Sequence, residues 1–243
     1  MICSGITPID AQSGGFVRGR IHLLTGGPGT GKTTACLQFL KEGLKQGDRV
    51  ALLTAARIDD LSSHARSIGL DLENVVRDGR ASLLHYHSEF ARHLAWSGLP
   101  EVVVTDFRRM LTELPPVRLV IDPITSFLDA GSIAGSVLAA LTATIESLGT
   151  TTIVTFPGNV SAGYDLRLEC MAQRAALIIE LSHGEAGAYR LRTLQARSLH
   201  APSAATQFVL RPGVGLSAVD LEPTQGRTAT QDRTRVRRGR VVQ

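Results

Sequence analysis

The stretch from Gly26 to Thr34 reads Gly-Gly-Pro-Gly-Thr-Gly-Lys-Thr-Thr and fits the phosphate-loop pattern G-x-x-x-x-G-K-[ST] without a mismatch. Gly26, Gly27, Gly29 and Gly31 let successive backbone N–H groups turn inward around Pro28 and Thr30. With the N-terminus of the following helix, those donors make a concavity suited to phosphate oxygens. The Lys32 ammonium would reach the β and γ phosphates, and the Thr33 hydroxyl would take one Mg²⁺ position, with Thr34 completing the binding segment. The ligands this chemistry calls for are ATP or ADP with Mg²⁺. A Gly-rich turn that merely capped a helix would explain neither the Lys32-Thr33 pair nor the apolar residues in front of it.

Such a loop must be held between a strand and a helix. Ile21 to Leu24 reads as the strand entering it and Thr33 to Lys45 as the helix leaving it. Gly47-Asp48 then makes a turn into an apolar strand, Arg49 to Thr54. Asp59 to Ile68 has helical spacing, with Asp59 and Asp60 in the first turn, where carboxylates suit the helix dipole. Ala81 to Tyr86 reads as a strand and Glu101 to Leu111 as a helix closed by Pro115-Pro116. Val117 to Ile121 is apolar apart from Arg118 and delivers Asp122 at its C-terminal end; Gly135 to Leu148 is an amphipathic helix and Thr151 to Phe156 another buried strand. This alternation predicts an α/β fold with a mostly parallel sheet covered on both faces and ligands at the carboxyl ends of its strands.

The two ends of the chain read differently. Met1 to Gly19 is expected to be a loop leading into the fold over one edge of the nucleotide site. Beyond Gly158, Ala175 to Leu181, Tyr189 to Ala196, Gln207 to Leu210 and Leu216 to Val219 read as strands without intervening helices, a C-terminal antiparallel extension with a hairpin around Gly187.

A chain of 243 residues with 43% hydrophobic content can bury a substantial core. One domain over residues 1–220 is expected, followed by a basic, Arg-rich tail over 221–243 whose composition predicts disorder. The formal charge of +4 is concentrated at that end, where Arg227, Arg233, Arg235, Arg237, Arg238 and Arg240 lie in the last stretch with only Asp232 among them. No segment has the pattern of a secretory signal, and Ile133 to Phe156 is broken by Glu146 and Gly149, so a cytoplasmic protein with no membrane partner is expected. Cys3, Cys36 and Cys170 have no metal or disulfide spacing and read as buried free thiols. His85, His87 and His93 lack a Cys or carboxylate to complete a ligand set, and Trp96 reads as a packing residue.

With these pieces placed, the chain resembles a single RecA-type P-loop ATPase domain of the KaiC-like family, from about Ser4 to Asp220. The resemblance is carried by Gly5-Ile6-Thr7-Pro8-Ile9-Asp10 with Gly14-Gly15 and Gly19, and by the phosphate loop running into Leu37-Gln38-Phe39-Leu40 and Gly43. Ala65 to Leu72, the Walker B-like Leu119-Val120-Ile121-Asp122 and the late segment Arg192 to Arg197 extend it. It implies that Asp122 holds Mg²⁺ through water, which the chemistry supports, since a carboxylate at that strand end faces the Thr33 hydroxyl. It also implies a homo-oligomer, a hexameric ring, in which Arg197 of one subunit reaches the γ phosphate held by the next.

The chain also departs from the family's pattern. Where the family places a Glu-Glu pair after its second strand, to activate the attacking water, this sequence has Ala55-Ala56. A methyl group cannot accept a proton. Gln195 stands where the family's hairpin has a Lys, removing one positive charge from the transition state, while Arg197 is kept. Leu168 and Glu169 occupy the positions of the autokinase members' acceptor Ser and Thr, which argues against self-phosphorylation. Asp59 and Asp60 are the candidates for a relocated base, and Arg57 for a contact that holds the γ phosphate without cleaving it.

The expectation that follows is an ATP-Mg-binding protein with weak or absent hydrolysis, acting as a nucleotide-dependent assembly or signalling component on a protein partner that the sequence does not identify. The alternative is a DNA-binding RecA-type recombination or helicase-loader-like ATPase. The Arg-rich tail would then bind nucleic acid non-specifically, because it lacks interleaved aromatics for base stacking.

Overall fold

The structure, a computed structural model, describes residues 1–85, 100–113, 115–127, 134–158, 165–184, 192–198 and 201–219. Its strands are Ile21–Gly26 (β1), Val50–Thr54 (β2), Ala81–His85 (β3), Arg118–Asp122 (β4), Thr151–Pro157 (β5), Leu177–His183 (β6), Arg192–Ser198 (β7), Ala201–Arg211 (β8) and Gly215–Ala218 (β9). They form one sheet in the order β3-β2-β4-β5-β1-β6-β7-β8-β9. Pairing is parallel from β3 to β6 and antiparallel from β6 to β9.

The helices are Thr7–Ser13 (α1), Lys32–Lys45 (α2), Ile58–Ser67 (α3), Leu72–Arg77 (α4), Pro100–Glu113 (α5), Ala134–Leu148 (α6) and Leu166–Arg174 (α7), with a short 3₁₀ turn over Ile124–Phe127. Every residue of β1, β2 and β4 is buried, as runs of apolar residues require when helices cover both faces of a sheet. Alternate residues feed two cores. Leu24, Leu52 and Val120 pack with Leu37 and Leu40 of α2 and Leu61 of α3. Leu23, Leu53 and Ile121 pack on the other face with Leu111, Leu141 and Met171 of α5, α6 and α7.

Three expectations change. Met1 to Gly19 is not a loop over the nucleotide site: it folds into an antiparallel bridge between Ile2 and Phe16 and the helix α1, which packs against β7, β8 and β9. Burial of Ile6, Ile9 and Phe16 drives this, while the Asp10 carboxylate caps the segment by accepting the N–H groups of Ser4 and Gly5 at 2.7 and 3.1 Å. Pro8 is tolerated because it falls in the first helical turn, where N–H groups have no intrahelical acceptor.

The stretch after Gly158 contains the helix α7, and β6 pairs in parallel with β1, so the antiparallel extension starts one strand later than expected. Asp165 caps α7 by accepting the Arg167 N–H at 2.9 Å, and Leu168 and Met171 bury its inner face. The short helix α4 packs against α3 and β3. Of the three cysteines only Cys36 is buried; Cys3 and Cys170 are exposed, and all three are free.

Arg118, the first residue of β4, is fully buried. Its guanidinium donates to the Asp48 carboxylate at 2.8 Å, to Gln46 at 2.9 Å and to the carbonyls of Cys3 and Phe39, and it stacks on the Phe39 ring at 4.8 Å. Gly43 is the residue of α2 that makes room for it, since a Cβ there would lie 2.5 Å from the Arg118 Cδ. No helix among the described residues is long and apolar enough to cross a membrane. No group of His, Cys, Asp and Glu among the described residues could hold a metal ion by itself; His87, His93 and Trp96 lie outside them, as does the tail.

Candidate functional site

The strand β1 lies near the middle of the sheet between β5 and β6, and its C-terminal end runs directly into the Gly26–Gly31 loop and then into α2. The loop keeps close company with β6. Gly26 has φ 147°, and a Cβ on it would sit 2.4 Å from the Leu181 carbonyl oxygen and 2.8 Å from the Thr30 hydroxyl, so no other residue fits there without moving the strand. Gly31, at φ 108°, is the residue from which α2 starts, and no side chain caps that end. The first N–H groups of α2 are therefore available to an anion.

Lys32 folds over the loop and donates from Nζ to the carbonyls of Gly26 and Gly27 at 2.7 and 2.8 Å. Partial burial lowers its pKa, and the nearby Asp122 carboxylate opposes that shift. The Thr30 hydroxyl donates to the Gly27 carbonyl at 2.9 Å and fixes the loop internally. The Thr33 hydroxyl donates to Oδ2 of Asp122 at 2.8 Å, while Oδ1 of the same carboxylate accepts from the buried Thr155 hydroxyl of β5 at 2.5 Å. An ammonium, a hydroxyl and a carboxylate thus converge at the carboxyl ends of β1, β4 and β5, which is the donor set that phosphate oxygens and a hydrated Mg²⁺ require.

Thr54, the last residue of β2, stands opposite Asp122 in the parallel register, and the Ala55 N–H points to the Asp122 carbonyl at 3.4 Å. The structure therefore puts Ala55 beside Asp122, with Ala56 next along the chain and its N–H on the Thr54 hydroxyl at 3.1 Å. Asp59 and Asp60 stay exposed on the first turn of α3, where Asp60 lies 4.0 Å from Arg57, while Leu61, Ser62 and Ala65 turn inward. Arg197 and Gln195 are placed by the β6–β7 register opposite Ile178 and Glu180.

Several contacts escape a reading of the sequence. Thr34 is buried, and its hydroxyl lies 2.8 Å from Nε2 of His64, tying α2 to α3. Thr155 looks like an ordinary β-former in a Thr-rich strand until β4 is set next to it. His183 and Arg192 reach the carbonyls of Pro28 and Gly29 from the β6–β7 pair. Gln38, inside α2, exchanges hydrogen bonds with the backbone of Leu216 and so locks β9 to the helix that the loop starts.

A mostly parallel sheet with a phosphate loop between β1 and α2, an aspartate ending β4 and a C-terminal antiparallel extension is a RecA-type P-loop fold. A family model described as "ATPase: KaiC" matches residues 2–208, and the chain belongs to that family. It is similar to the circadian clock oscillator protein KaiC of Rippkaea orientalis, with 35% identity over 127 residues, 51% of this chain and 23% of that protein. The protein of the same name from Synechococcus elongatus is 28% identical over 152 residues, 60% of this chain and 29% of that protein. The chain thus spans between a fifth and a third of the length of these two relatives. A solved structure, that of a KaiC-like protein from the hyperthermophilic archaeon Pyrococcus horikoshii OT3, superposes with a TM-score of 0.72 at 26% identity, covering 90% of this chain and 98% of that one. The chain is a nucleotide-binding ATPase-fold protein of KaiC type.

Proposed function

We propose that this chain binds ATP or ADP with Mg²⁺ at Gly26 to Thr34, hydrolyses ATP slowly or not at all, and serves as a nucleotide-dependent assembly or signalling component. The observation that carries this reading is the juxtaposition of an intact Lys32, Thr33 and Asp122 set with Ala55 and Ala56 beside it. The binding half of the chemistry has its groups. The half that activates water lacks its carboxylate where the β2–β4 register would deliver one. In this reading Thr33 takes a direct Mg²⁺ position and Asp122 holds the ion through water.

Arg197 supports assembly. Its register partner Ile178 is level with Leu23 of β1, three residues before Gly26, which sets it about 10 Å along the strands from its own loop. A finger so placed serves the nucleotide of a neighbouring copy, and a head-to-tail interface of that kind closes into a ring, hexameric in this reading.

Incubation of the pure protein with ATP-Mg, followed by bound nucleotide, phosphate release and light scattering, tests all three parts. Turnover within the ordinary enzyme range of about 1–1000 s⁻¹, abolished by Lys32→Ala, would overturn slow hydrolysis. A monomer at saturating ATP would overturn the ring.

A second reading, DNA binding in a recombination or helicase-loading role, is favoured by one observation, the six arginines between Arg227 and Arg240. Deleting the residues after Glu222 separates the two: salt-sensitive DNA binding that vanishes with the tail belongs to the tail, and binding that survives belongs to the ATPase-fold body.

A further inference from the structure

We propose that His183 and Arg192 are positioning residues of the phosphate loop: they hold the Pro28 and Gly29 carbonyls outward and so present the Gly29 and Thr30 N–H groups to a bound di- or triphosphate. This rests on the reading of Gly26 to Thr34 as the nucleotide site.

The placement follows from the sheet. Because β6 runs parallel to β1 and pairs with it up to Thr25–Glu180, the last residue of β6, His183, emerges beside the loop that leaves β1. Arg192, the first residue of β7, is its direct partner in the antiparallel register, so both side chains belong to one face of the sheet. That face is the one on which Leu181 and Leu194 are buried with Leu37 and Leu40 of α2. The loop connecting β1 to α2 must pass over it.

The contacts are specific to two successive peptide units. His183 Nε2 lies 3.1 Å from the Pro28 carbonyl oxygen, and since a carbonyl only accepts, the ring carries its hydrogen on that nitrogen. Arg192 donates from Nη2 to the Gly29 carbonyl at 3.2 Å. A trans peptide unit is planar, with its C=O and N–H pointing in opposite directions. Fixing the Pro28 oxygen toward β6 therefore turns the Gly29 N–H the other way, and fixing the Gly29 oxygen does the same for Thr30. No acceptor among the described residues takes either N–H in a backbone hydrogen bond. Loops rich in glycine lose much conformational entropy on ordering, so donors that restrain two of these units before ligand arrives reduce what binding must spend. Lys32, by contrast, holds the Gly26 and Gly27 carbonyls, so all four carbonyls from Gly26 to Gly29 have a donor, and the two groups divide the loop between them.

The test is calorimetric titration of the full chain with ATP-Mg and, separately, with inorganic tripolyphosphate, which contacts only the phosphate site. His183→Ala and Arg192→Ala are expected each to weaken both ligands about threefold to tenfold, the double variant more. His183→Gln, which keeps a donor, is expected to recover most of the loss, and the ligand-free melting temperature to stay unchanged. Amide NMR signals of Gly29 and Thr30 in the free chain are expected to move in the alanine variants. Alanine variants that bind like a binding-competent wild type overturn the positioning alone. Weakening that comes with a lowered melting temperature and no recovery by His183→Gln assigns the pair to packing and also overturns it. A wild-type chain that binds neither ligand overturns the phosphate-loop reading and the positioning together.

Discussion

The Thr33 hydroxyl donates to the Asp122 carboxylate at 2.8 Å although 89 positions of chain separate the two residues. The bond joins the first turn of α2 to the end of β4, and the same carboxylate is steadied from its other oxygen by Thr155. This pair is where Mg²⁺ would sit, so its variants should lose the metal's contribution to affinity and little else. Asp122→Asn and Thr33→Val are each expected to weaken ATP binding about tenfold to a hundredfold in the presence of Mg²⁺, the range for hydrogen bonds to charged groups. Titrations in EDTA should show wild type and variants alike. An undiminished Mg²⁺ effect in Asp122→Asn would remove Asp122 from the site.

Buried Arg118 makes a prediction about stability rather than chemistry. It holds four acceptors from α2, the turn after α2 and the N-terminal segment, with its own side chain fully buried and that of Asp48 22% exposed. Arg118→Ala removes this shared donor and leaves a cavity under Phe39, and should cost about 3–5 kcal/mol. Asp48→Asn should cost distinctly less, because Arg118 keeps its other three acceptors and the replaced carboxylate reaches water. Urea unfolding of the two variants measures the difference, and equal losses would contradict it.

How much of this was legible in the sequence depends on how local the chemistry is. The phosphate loop carries its glycines, Lys32 and Thr33 within a few residues, and Asp122 is located by the apolar strand that ends at it. Nothing local marks His183 or Arg192, which lie 155 and 163 residues from the carbonyls they hold. Thr155 and Gln38 are equally silent, since a hydroxyl in a strand or an amide in a helix acquires a purpose only when β4 or β9 is beside it. The N-terminal segment misled for the opposite reason: Pro8 and the paired glycines Gly14-Gly15 are strong turn signals, and burial of Ile6 and Ile9 outweighs them.

His22 gives the fold a dependence on acid. Burial against Phe16, whose ring centroid lies 4.4 Å away, pulls its pKa from 6.5 down to about 4, despite the hydrogen bond to the Val17 carbonyl. Between these values the unfolded chain binds a proton on His22 that the folded chain does not, so stability rises with pH across the window and is lost as pH falls. At pH 5 the loss from this one group is about 2 kcal/mol relative to pH 7.5. His22→Gln keeps a donor for Val17 and does not titrate, so the variant should show a flatter stability profile between pH 7.5 and 5. Parallel profiles for variant and wild type would mean that other groups set the acid limb.

The strongest prediction concerns Ala55 and Ala56. If the missing carboxylates are what separates binding from hydrolysis, restoring them should restore turnover, since the register already sets these positions beside Asp122 and the rest of the donor set is in place. A positioned general base contributes about 10²–10⁴ in rate. Ala55→Glu with Ala56→Glu is therefore expected to raise phosphate release by at least about a hundredfold with ATP affinity changed little, and Lys32→Ala on that background should abolish the gain. Gln195→Lys should add to it only under conditions where copies assemble, because in the proposed ring its effect, like that of Arg197, would be exerted on a neighbour's phosphate. A gain from Gln195→Lys in a monomeric preparation would put that side chain at its own loop and overturn the trans assignment. If the double Glu variant folds, binds ATP-Mg as tightly as wild type and still fails to turn over, the missing pair is not what limits turnover, and the β6–β7 strands become the place to look.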